Sequence, residues 1–325
     1  MTDPIPNPGE RLRLAVARSA LFSGHDAVLG EAMPAIAMPM HLALDAESRP
    51  VAADGRSAFA KAFRQGALAP FTFADSAEAS ARAAEAGIAP RLLEADEANG
   101  VLLFEAAGAE WRMALARDVQ APDAKAAVLA AKKAWHGQKP LSRTFSPFDV
   151  ARDYRARLAP HLIAGSPTHL PFKGLVPFVA IEQWIDRIEE ALQAAGSELG
   201  PIHGENTVSN ILLGPDSRVL LVDFDRAVNA DPLYDLGALC LDLCRGEDER
   251  IEAVEMYAGA PDEAVLARIK LYGVVDDFLW GCWALLAEIN PGTNGPELFK
   301  YASNRFVRLS HHLQQFDLPH LLAKI

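Results

Sequence analysis

The spacing of apolar and polar residues divides the chain into two parts with different expected structure. In the first part, strand-like alternation covers residues 38–44 and 58–64, and a turn-rich connector at 45–56 separates them. A helix is predicted over residues 75–86, and a short apolar strand over 101–105. This order of elements predicts a small sheet with one helix packed against it.

Helical periodicity dominates from about residue 106 onward. The predicted helices cover residues 123–135, 150–158, 179–195, 233–244, 248–257, 262–287 (with a possible break at 272–273) and 297–314. Two apolar runs, 211–213 and 219–222, interrupt this pattern, and the Gly-Pro-Asp-Ser sequence between them is a strong turn signal. They predict a β-hairpin inside a helical region. The segment 158–178 is rich in Pro, Gly and His, which predicts a long loop.

Composition narrows the class of protein. Of the 325 residues, 50% are hydrophobic and 23% are charged, which is typical of a globular protein with a sizeable core. The net charge of −12 argues against a nucleic-acid partner, because an acidic surface repels a phosphate backbone. Three cysteines without metal-site spacing predict buried free thiols.

Neither a leader nor a membrane span is predicted. The N-terminus lacks a basic stretch followed by an apolar run. The apolar stretch at residues 274–289 contains Asp276, Asp277 and Glu288, so it is too short and too charged to cross a bilayer. We therefore expect a cytoplasmic protein with no membrane partner.

Two short motifs carry the candidate chemistry. The first, HGENTVSN, contains Glu205 and Asn210 and precedes the hairpin, whereas the second, LVDFD, contains Asp223 and Asp225 and closes it. A tight hairpin brings its two ends together, so these side chains would face one cleft. In phosphoryl transfer one acid positions the attacking hydroxyl, and another acid and an Asn oxygen bind Mg²⁺ against nucleotide phosphates. The motifs therefore predict a phosphoryl-transfer site.

The same motifs resemble those of the aminoglycoside phosphotransferase and choline/ethanolamine kinase families, and are nearest to the choline/ethanolamine branch. The resemblance implies a protein-kinase-like, two-lobed α+β fold. Residues 1–105 would form the nucleotide-binding lobe, a small β-sheet with one helix. Residues 106–325 would form a larger, mainly helical lobe that carries the hairpin and binds the acceptor.

This resemblance also assigns roles to the motif residues. Glu205 occupies the position of the catalytic base, Asn210 and Asp223 those of the Mg²⁺ ligands, and Asp225 would assist them. ATP and Mg²⁺ are the implied cofactors. We expect His203 to brace the loop rather than transfer protons.

Three further residues resemble the nucleotide-binding elements of these families. Lys61 lies in a strand like the one that carries the phosphate-contacting lysine, and Glu78 opens the next helix where that lysine's ion-pair partner would lie. Glu105 marks the hinge, where backbone groups would contact adenine. By itself Lys61 is also compatible with an ordinary exposed strand lysine.

The acceptor prediction depends on two tryptophans. Trp280 and Trp283 are three residues apart on a predicted helix and project from nearly one face, which by spacing alone favours a core position. The segment FLWGCWALL, however, resembles the helix whose two tryptophans hold choline in choline kinases, where indoles attract an ammonium group. The same resemblance places Tyr301 and Asp242 beside the acceptor.

Three features depart from these families. Glu205 replaces Asp, and one added methylene misplaces a carboxylate enough to lower the rate about a hundredfold unless the loop compensates. Arg226 replaces a common Tyr, and would disfavour a cationic acceptor if it pointed into the pocket. The loop that covers the nucleotide has only a weak candidate, residues 23–30.

The sequence leaves three functions open. The first is an Mg-ATP-dependent kinase that phosphorylates an amino alcohol such as choline or ethanolamine. The second is a catalytically silent, pseudokinase-like binding or scaffolding module, which the glutamate at 205 suggests. The third is an aminoglycoside or sugar kinase. In the first and third, the partner is a small molecule with a hydroxyl group.

Overall fold

The computed structural model describes residues 6–37, 42–64, 70–162, 176–289 and 298–325. The strands are β1 Val28–Leu29, β2 Ala46–Ala53, β3 Arg56–Phe63, β4 Leu92–Asp96, β5 Val101–Glu105, β6 Arg112–Met113, β7 Gly200–Ile202, β8 Ile211–Leu213, β9 Val219–Leu221 and β10 Val228–Ala230. The helices are α1 Pro8–Arg18, α2 Phe73–Glu85, α3 Pro122–His136, α4 Pro147–Leu158, α5 Phe178–Ala195, α6 Pro232–Leu243, α7 Glu247–Ala258, α8 Glu263–Ile289, α9 Leu298–Gln315 and α10 Leu318–Lys324.

The largest sheet has five antiparallel strands in the order β1-β2-β3-β5-β4. Its central hairpin joins β2 to β3 through the two-residue turn Asp54-Gly55, in which both residues have positive φ. The predicted turn-rich connector at 45–56 is therefore wrong, because most of it is strand β2. An Asp-Gly pair between alternating residues is a strong hairpin signal. Of the strand predicted at 38–44, residues 38–41 lie outside the described residues and 42–44 contain one isolated bridge.

Helices cover both faces of this sheet. Leu12 and Val16 of α1, a helix that periodicity did not predict, pack against the face formed by Ala58, Ala60 and Ala62. On the opposite face Phe63 packs against residues of α2. Because side chains alternate along a strand, Lys61 lies on the same face as Phe63. The strands β3 and β5 and helix α2 confirm their predicted positions within two residues.

The predicted β-hairpin is confirmed as β8 and β9, and β6 adds a third strand beside β8. A backbone hydrogen bond closes the open end of the hairpin, where the Val222 amide donates to the Asn210 carbonyl at 2.9 Å. This bond joins the ends of the two motifs, so the hairpin brings them together as predicted.

The chain divides into two compact units, Met1–Arg143 with His203–Val228, and Thr144–Ile202 with Asn229–Ile325. The first unit contains the sheet and the hairpin, and the second is mainly helical. The predicted lobe boundary at residue 105 stays a prediction.

Helix α8 forms the centre of the helical unit and packs against α4, α6 and α9. It runs unbroken for 27 residues, so the break considered near 272–273 does not occur. Gly273 instead permits close packing, since a Cβ there would lie 3.1 Å from the Leu241 side chain. The cysteines are buried free thiols, as predicted. Across the described ranges, no helix combines the length and apolarity needed to cross a membrane.

Candidate active site

A lysine and two aspartates form the central cluster of the first unit. The Lys61 ammonium donates to carboxylate oxygens of both Asp223 and Asp225. Strand β3 carries the lysine, whereas both aspartates follow strand β9. Asp223 has a φ of +70°, a conformation that costs a non-glycine residue on the order of 1–2 kcal/mol. The fold thus holds Asp223 in a strained conformation that directs it to the lysine.

Burial and charge separate the pKa values of this cluster. Burial by itself would lower the pKa of Lys61, but the two aspartates outweigh it and raise that pKa. Burial opposes ionisation of Asp223, yet the charge of Lys61 holds its pKa below the ordinary value. Burial and the charge of Asp223 together raise the pKa of Asp225 to about 8. Two acids thus share one ammonium, and burial favours the protonated form of Asp225 unless a further cation lies beside it.

The helix α2 contributes a hydroxyl rather than a carboxylate to this cluster. Ser76 donates to the Asp225 carboxylate at 3.0 Å. The prediction that Glu78 pairs with Lys61 is wrong, because Glu78 instead forms a 2.9 Å ion pair with Arg82. Two helical positions correspond to a rotation of about 200°, so Ser76 and Glu78 cannot face the same side. The sequence signal for Ser76 is its place among small residues at helical spacing, which form the buried face of α2.

A cavity of about 340 Å³ extends from this cluster through the first unit. Its apolar walls include Ala58, Phe104, Met113, Leu212 and Leu221. Lys61, Asn210, Asp223 and Asp225 line it as well. An apolar cavity with a few charged groups is the usual form of a small-molecule site.

The predicted hinge lines this cavity, whereas the predicted cover loop does not. Residues 104–107 line the cavity, while the Glu105 side chain is exposed, with its carboxylate 3.7 Å from Arg91. This placement suits a role for the backbone rather than for the carboxylate. The cover-loop candidate 23–30, all of it described, is not among the lining residues, whereas Met33 and residues 42–45 are. The candidate stays a prediction; its Gly24 lies in a turn and its Gly30 directly follows strand β1.

The loop of the first motif is braced from within the protein, as expected for His203. The buried His203 ring donates from Nε2 to the Val222 carbonyl at 2.9 Å. Its Nδ1 accepts from Lys132, and Lys132 also donates to Asn206 at 2.6 Å. Both ring nitrogens are therefore occupied by the scaffold, which leaves His203 no role in proton transfer.

A glycine allows this loop to approach the second motif closely. Gly204 has a φ of +77°, and a Cβ at this position would lie 2.3 Å from the Arg226 carbonyl oxygen. Only glycine tolerates both the backbone conformation and the contact. The backbone of the HGE segment is thus fixed against the residue that follows Asp225.

Glu205 forms a buried ion pair with that same arginine. The Arg226 Nε donates to Glu205 Oε1 at 2.8 Å, and the Arg226 Nη2 donates to Asp45 at 2.8 Å. Burial raises the pKa of Glu205 to about 8, although the charge of Arg226 opposes this shift. Sequence reasoning missed Asp45, which lies just before β2 in a segment taken for a turn.

In the helical unit the predicted acceptor residues form a ladder of aromatic rings. The rings of Trp280 and Trp283 meet edge to face with centroids 6.0 Å apart, and Trp283 meets Tyr301 in the same way at 6.1 Å. Trp280 is buried and donates to Asp276 at 3.1 Å, whereas Trp283 is half-buried. Trp280 therefore has the core position that its spacing favoured, and Trp283 has the more accessible ring.

Arginines from α9 neutralise the acids beside this ladder. Arg305 donates to Asp276 at 2.7 Å and to the Tyr301 hydroxyl at 2.8 Å. The buried Asp277 accepts from Arg305 at 3.0 Å and from Arg308 at 2.6 Å. The predicted substrate residue Asp242 has a looser contact, 3.4 Å from Arg308, and its side chain is 33% exposed. Of these three acids, Asp242 is the one that remains accessible.

A match to a protein-family model shows which family this chain belongs to. Residues 47–272, more than two thirds of the chain, match the model described as the phosphotransferase enzyme family. The chain belongs to this family. It is therefore a phosphotransferase that uses ATP and acts on a hydroxyl group.

Several solved structures share the fold of this phosphotransferase. A choline/ethanolamine kinase family protein from Mesorhizobium loti has 23% identity and a TM-score of 0.77, with 97% of this chain and 98% of that chain covered. The choline kinase LicA from Streptococcus pneumoniae has 17% identity and a TM-score of 0.69, with 83% of this chain and 90% of that chain covered. The macrolide 2′-phosphotransferase MphH from Brachybacterium faecium has 16% identity and a TM-score of 0.57, with 95% of this chain and 98% of that chain covered.

These comparisons confirm the protein-kinase-like, two-lobed α+β fold and the suspected family. At such identities the structures share the fold alone with this phosphotransferase. A comparison with curated protein sequences gives no match.

The donor set of the phosphotransferase fits a magnesium ion. Asn210, Asp223 and Asp225 line one cavity and offer hard oxygen atoms, which Mg²⁺ prefers. Within the described residues, no group of three or more His, Cys, Asp or Glu side chains forms a metal site without other donors. The nucleotide's own oxygens would complete such a site, as is usual for Mg²⁺.

Proposed function

We propose that this phosphotransferase uses Mg²⁺ and transfers the γ-phosphoryl group of ATP to the hydroxyl of a small amino alcohol such as choline or ethanolamine. The observation that carries the phosphoryl-transfer part is the Lys61–Asp223–Asp225 cluster at the wall of the apolar cavity. LicA, a protein with the same fold, has been solved with AMP.

The nucleotide would bind with its base and its phosphates on different groups. The apolar walls near residues 104–107 would take adenine. Lys61 would exchange part of its contact with Asp223 and Asp225 for phosphate oxygens, because an ammonium binds phosphate as a point charge. Asn210, Asp223 and Asp225 would hold Mg²⁺, which supplies positive charge against the phosphate oxygens when bound.

Glu205 would accept the proton of the acceptor hydroxyl. Its carboxylate is buried and fixed by Arg226, so it is already oriented. A general base works best when its pKa lies near the working pH, and burial raises the pKa of Glu205 to about 8. The ionised form of Glu205 would therefore accept a proton more readily than a glutamate with an ordinary pKa.

The aromatic ladder supports an ammonium-bearing acceptor. A half-buried indole such as Trp283 attracts a cation through its ring face, and the accessible carboxylate of Asp242 would add charge. Arg305 does not oppose this, since Asp276 and Asp277 neutralise it. Arg226, whose charge the sequence left in question, is likewise paired with Glu205 and Asp45.

Release of ADP with a panel of acceptors tests the proposal. The panel contains choline, ethanolamine, an aminoglycoside and an amino sugar, each with Mg-ATP and with EDTA as control. We expect turnover with choline or ethanolamine and its loss with EDTA. Turnover with the aminoglycoside or sugar alone would establish the sugar-kinase function instead. A thermal shift with Mg-ATP without ADP release for any acceptor would favour the silent binding module.

A pair of tryptophan variants tests the acceptor site separately. Trp283→Ala should raise the KM for choline or ethanolamine about tenfold and leave the KM for ATP unchanged. The control Trp184→Ala removes another half-buried helical indole, which contacts Arg187 instead. Equal effects of the two substitutions would contradict an acceptor role for the ladder.

A further inference from the structure

The two departures from the related kinases, at 205 and 226, are in contact with each other. The carboxylate of Glu205 lies 2.8 Å from the Arg226 Nε, and both side chains are at most 7% exposed. An aspartate at 205 is shorter than glutamate by one carbon–carbon bond, about 1.5 Å. Its carboxylate would therefore not reach the Arg226 Nε, and this hydrogen bond would be lost. The length of the glutamate is therefore matched to the arginine.

The backbone around this pair leaves no freedom to close such a gap. Gly204 already lies against the Arg226 carbonyl, and His203 is tied to the Val222 carbonyl. The two motif segments therefore cannot move closer together to compensate for a shorter acid. The distance between residues 205 and 226 is set by the scaffold, and the side chains must fit it.

Arg226 is oriented from its other side as well. Its Nη2 donates to Asp45, so the guanidinium is held between two carboxylates and presents Nε to Glu205. A guanidinium binds carboxylates in fixed directions, which an ammonium does not. Both acids also neutralise Arg226, so it has no net charge to offer an anionic acceptor.

We propose that Arg226 is a positioning residue for Glu205, and that Glu205 and Arg226 work as one unit in place of a shorter acid. Arg226 holds the Glu205 carboxylate at the acceptor hydroxyl, and Asp45 holds Arg226. The inference rests on the proposed role of Glu205 as the proton acceptor. It extends that role by naming the residue that makes a glutamate suitable at this position.

A double-substitution cycle tests the pair, with choline and ethanolamine as acceptors and Mg-ATP as donor. The proteins are the wild type, Arg226→Ala, Glu205→Gln and the double variant. We expect Arg226→Ala to lower kcat about 10- to 100-fold, with the KM for ATP and for the acceptor within threefold of the wild type. The double variant should be no slower than Glu205→Gln alone, because a positioning residue has no effect once its target is removed.

Conservative variants separate positioning from simple destabilisation. Arg226→Lys should recover part of kcat, and Glu205→Asp should lower kcat about tenfold. Glu205→Asp combined with Arg226→Tyr restores the residue types of the related kinases and should be faster than Glu205→Asp alone. Arg152→Ala is the control, since it breaks an arginine pair with Glu189 on helices α4 and α5 and should leave kcat unchanged. If Arg226→Ala fails to bind Mg-ATP, these conservative variants decide the test.

Each outcome bears on one of the two claims. Independent, additive losses from Arg226→Ala and Glu205→Gln in an active enzyme would overturn the positioning role and leave the proposed function intact. A gain of kcat in Glu205→Asp would overturn it too, because the pair would then restrain the site. A wild type that phosphorylates no acceptor would overturn the proposed function, and the positioning role with it.

Discussion

Two clusters of paired aspartates and cations in this phosphotransferase are built from similar groups but have different surroundings. In the first unit Lys61 binds Asp223 and Asp225, and in the helical unit Arg305 and Arg308 bind Asp276 and Asp277. In each cluster one aspartate has a lowered pKa and its neighbour a raised one. By pKa alone the two clusters would be indistinguishable as candidate sites.

Their geometry separates them. The acids of the first cluster line a cavity, and they follow a strand in a segment with a strained backbone. The acids of the second lie inside the continuous helix α8, and Asp277 is fully buried with arginines on both carboxylate oxygens. Perturbed pKa values are typical of active sites and also of structural ion-pair networks. We infer from the comparison that the first cluster carries chemistry and that the second is scaffolding, and the following experiments probe these two regions.

The largest expected effect is a loss of folding stability at Asp277. Asp277→Ala would remove the shortest ion pair of Arg308 and one of the two acids on Arg305, and should lower the free energy of unfolding by about 4 kcal/mol. Chemical denaturation measures this loss. The control Asp242→Ala, at a partly exposed side chain, should cost less than about 1 kcal/mol. A folded Asp277→Ala protein should still show the thermal shift with Mg-ATP, and loss of that shift would contradict a purely structural role.

Gly204→Ala should have the next largest effect, because it combines positive φ with a Cβ only 2.3 Å from a carbonyl oxygen. We expect a loss of about 3 kcal/mol from strain and overpacking together. Gly55→Ala is the matched control, since Gly55 has a φ of +78° and open space where the Cβ would lie. The Gly55→Ala substitution should lower the free energy of unfolding by only about 1 kcal/mol. Equal losses in urea denaturation would show that the close approach of the motifs contributes nothing.

The third effect is on activity rather than on stability. Lys61→Ala should lower kcat/KM about a hundredfold, which is about 2.7 kcal/mol of transition-state stabilisation. Steady-state ADP release with an accepted acceptor measures it. Arg112→Ala, which removes an exposed arginine paired with Asp118, is the control and should leave the rate unchanged. A Lys61→Ala enzyme as fast as the wild type would remove the distinction between the two clusters.

The smallest effect concerns pH and the helical unit. Burial lowers the pKa of His312 to about 4, below its ordinary value of 6.5, so the folded protein holds this imidazole neutral. As pH falls below about 6.5 the unfolded chain binds a proton that the folded chain does not, and stability decreases until pH reaches about 4. Between pH 7.5 and pH 5 this amounts to about 2 kcal/mol. Urea denaturation at the two pH values measures it: the wild type should lose about this much more stability than His312→Gln. Stability curves of the two proteins that stay parallel with pH would contradict the prediction.

The elements with strong local signals were predicted from the sequence with little error. Helix α2, the strands β3 and β5 and the β8–β9 hairpin all lie within two residues of their predicted positions. The errors arose where a local signal was overlooked or competed with another. The segment 45–56 contains Pro50 and polar residues that suggested a turn, but its pairing with β3 makes it a strand. Tertiary pairing overrides a weak strand propensity in this way.

Contacts between residues distant in sequence were the least predictable part of the candidate site. Glu78 and Ser76 are two residues apart, and only the rotation of α2 against Asp225 decides which of them joins the cluster. Asp45 and Arg226 are 181 residues apart, and no spacing in the chain indicates that they meet. The sequence left open where Arg226 points, and the structure pairs its guanidinium with Glu205 and Asp45.

The sequence by itself determined the family, the hairpin and the residue types of the site, because motif spacing and local turn chemistry act over a few residues. Only the tertiary structure decided which acid pairs with which cation, since that depends on strands and helices that meet across more than a hundred residues. Aspartates paired with a cation form a candidate site where a cavity adjoins them and a scaffold where side chains surround them.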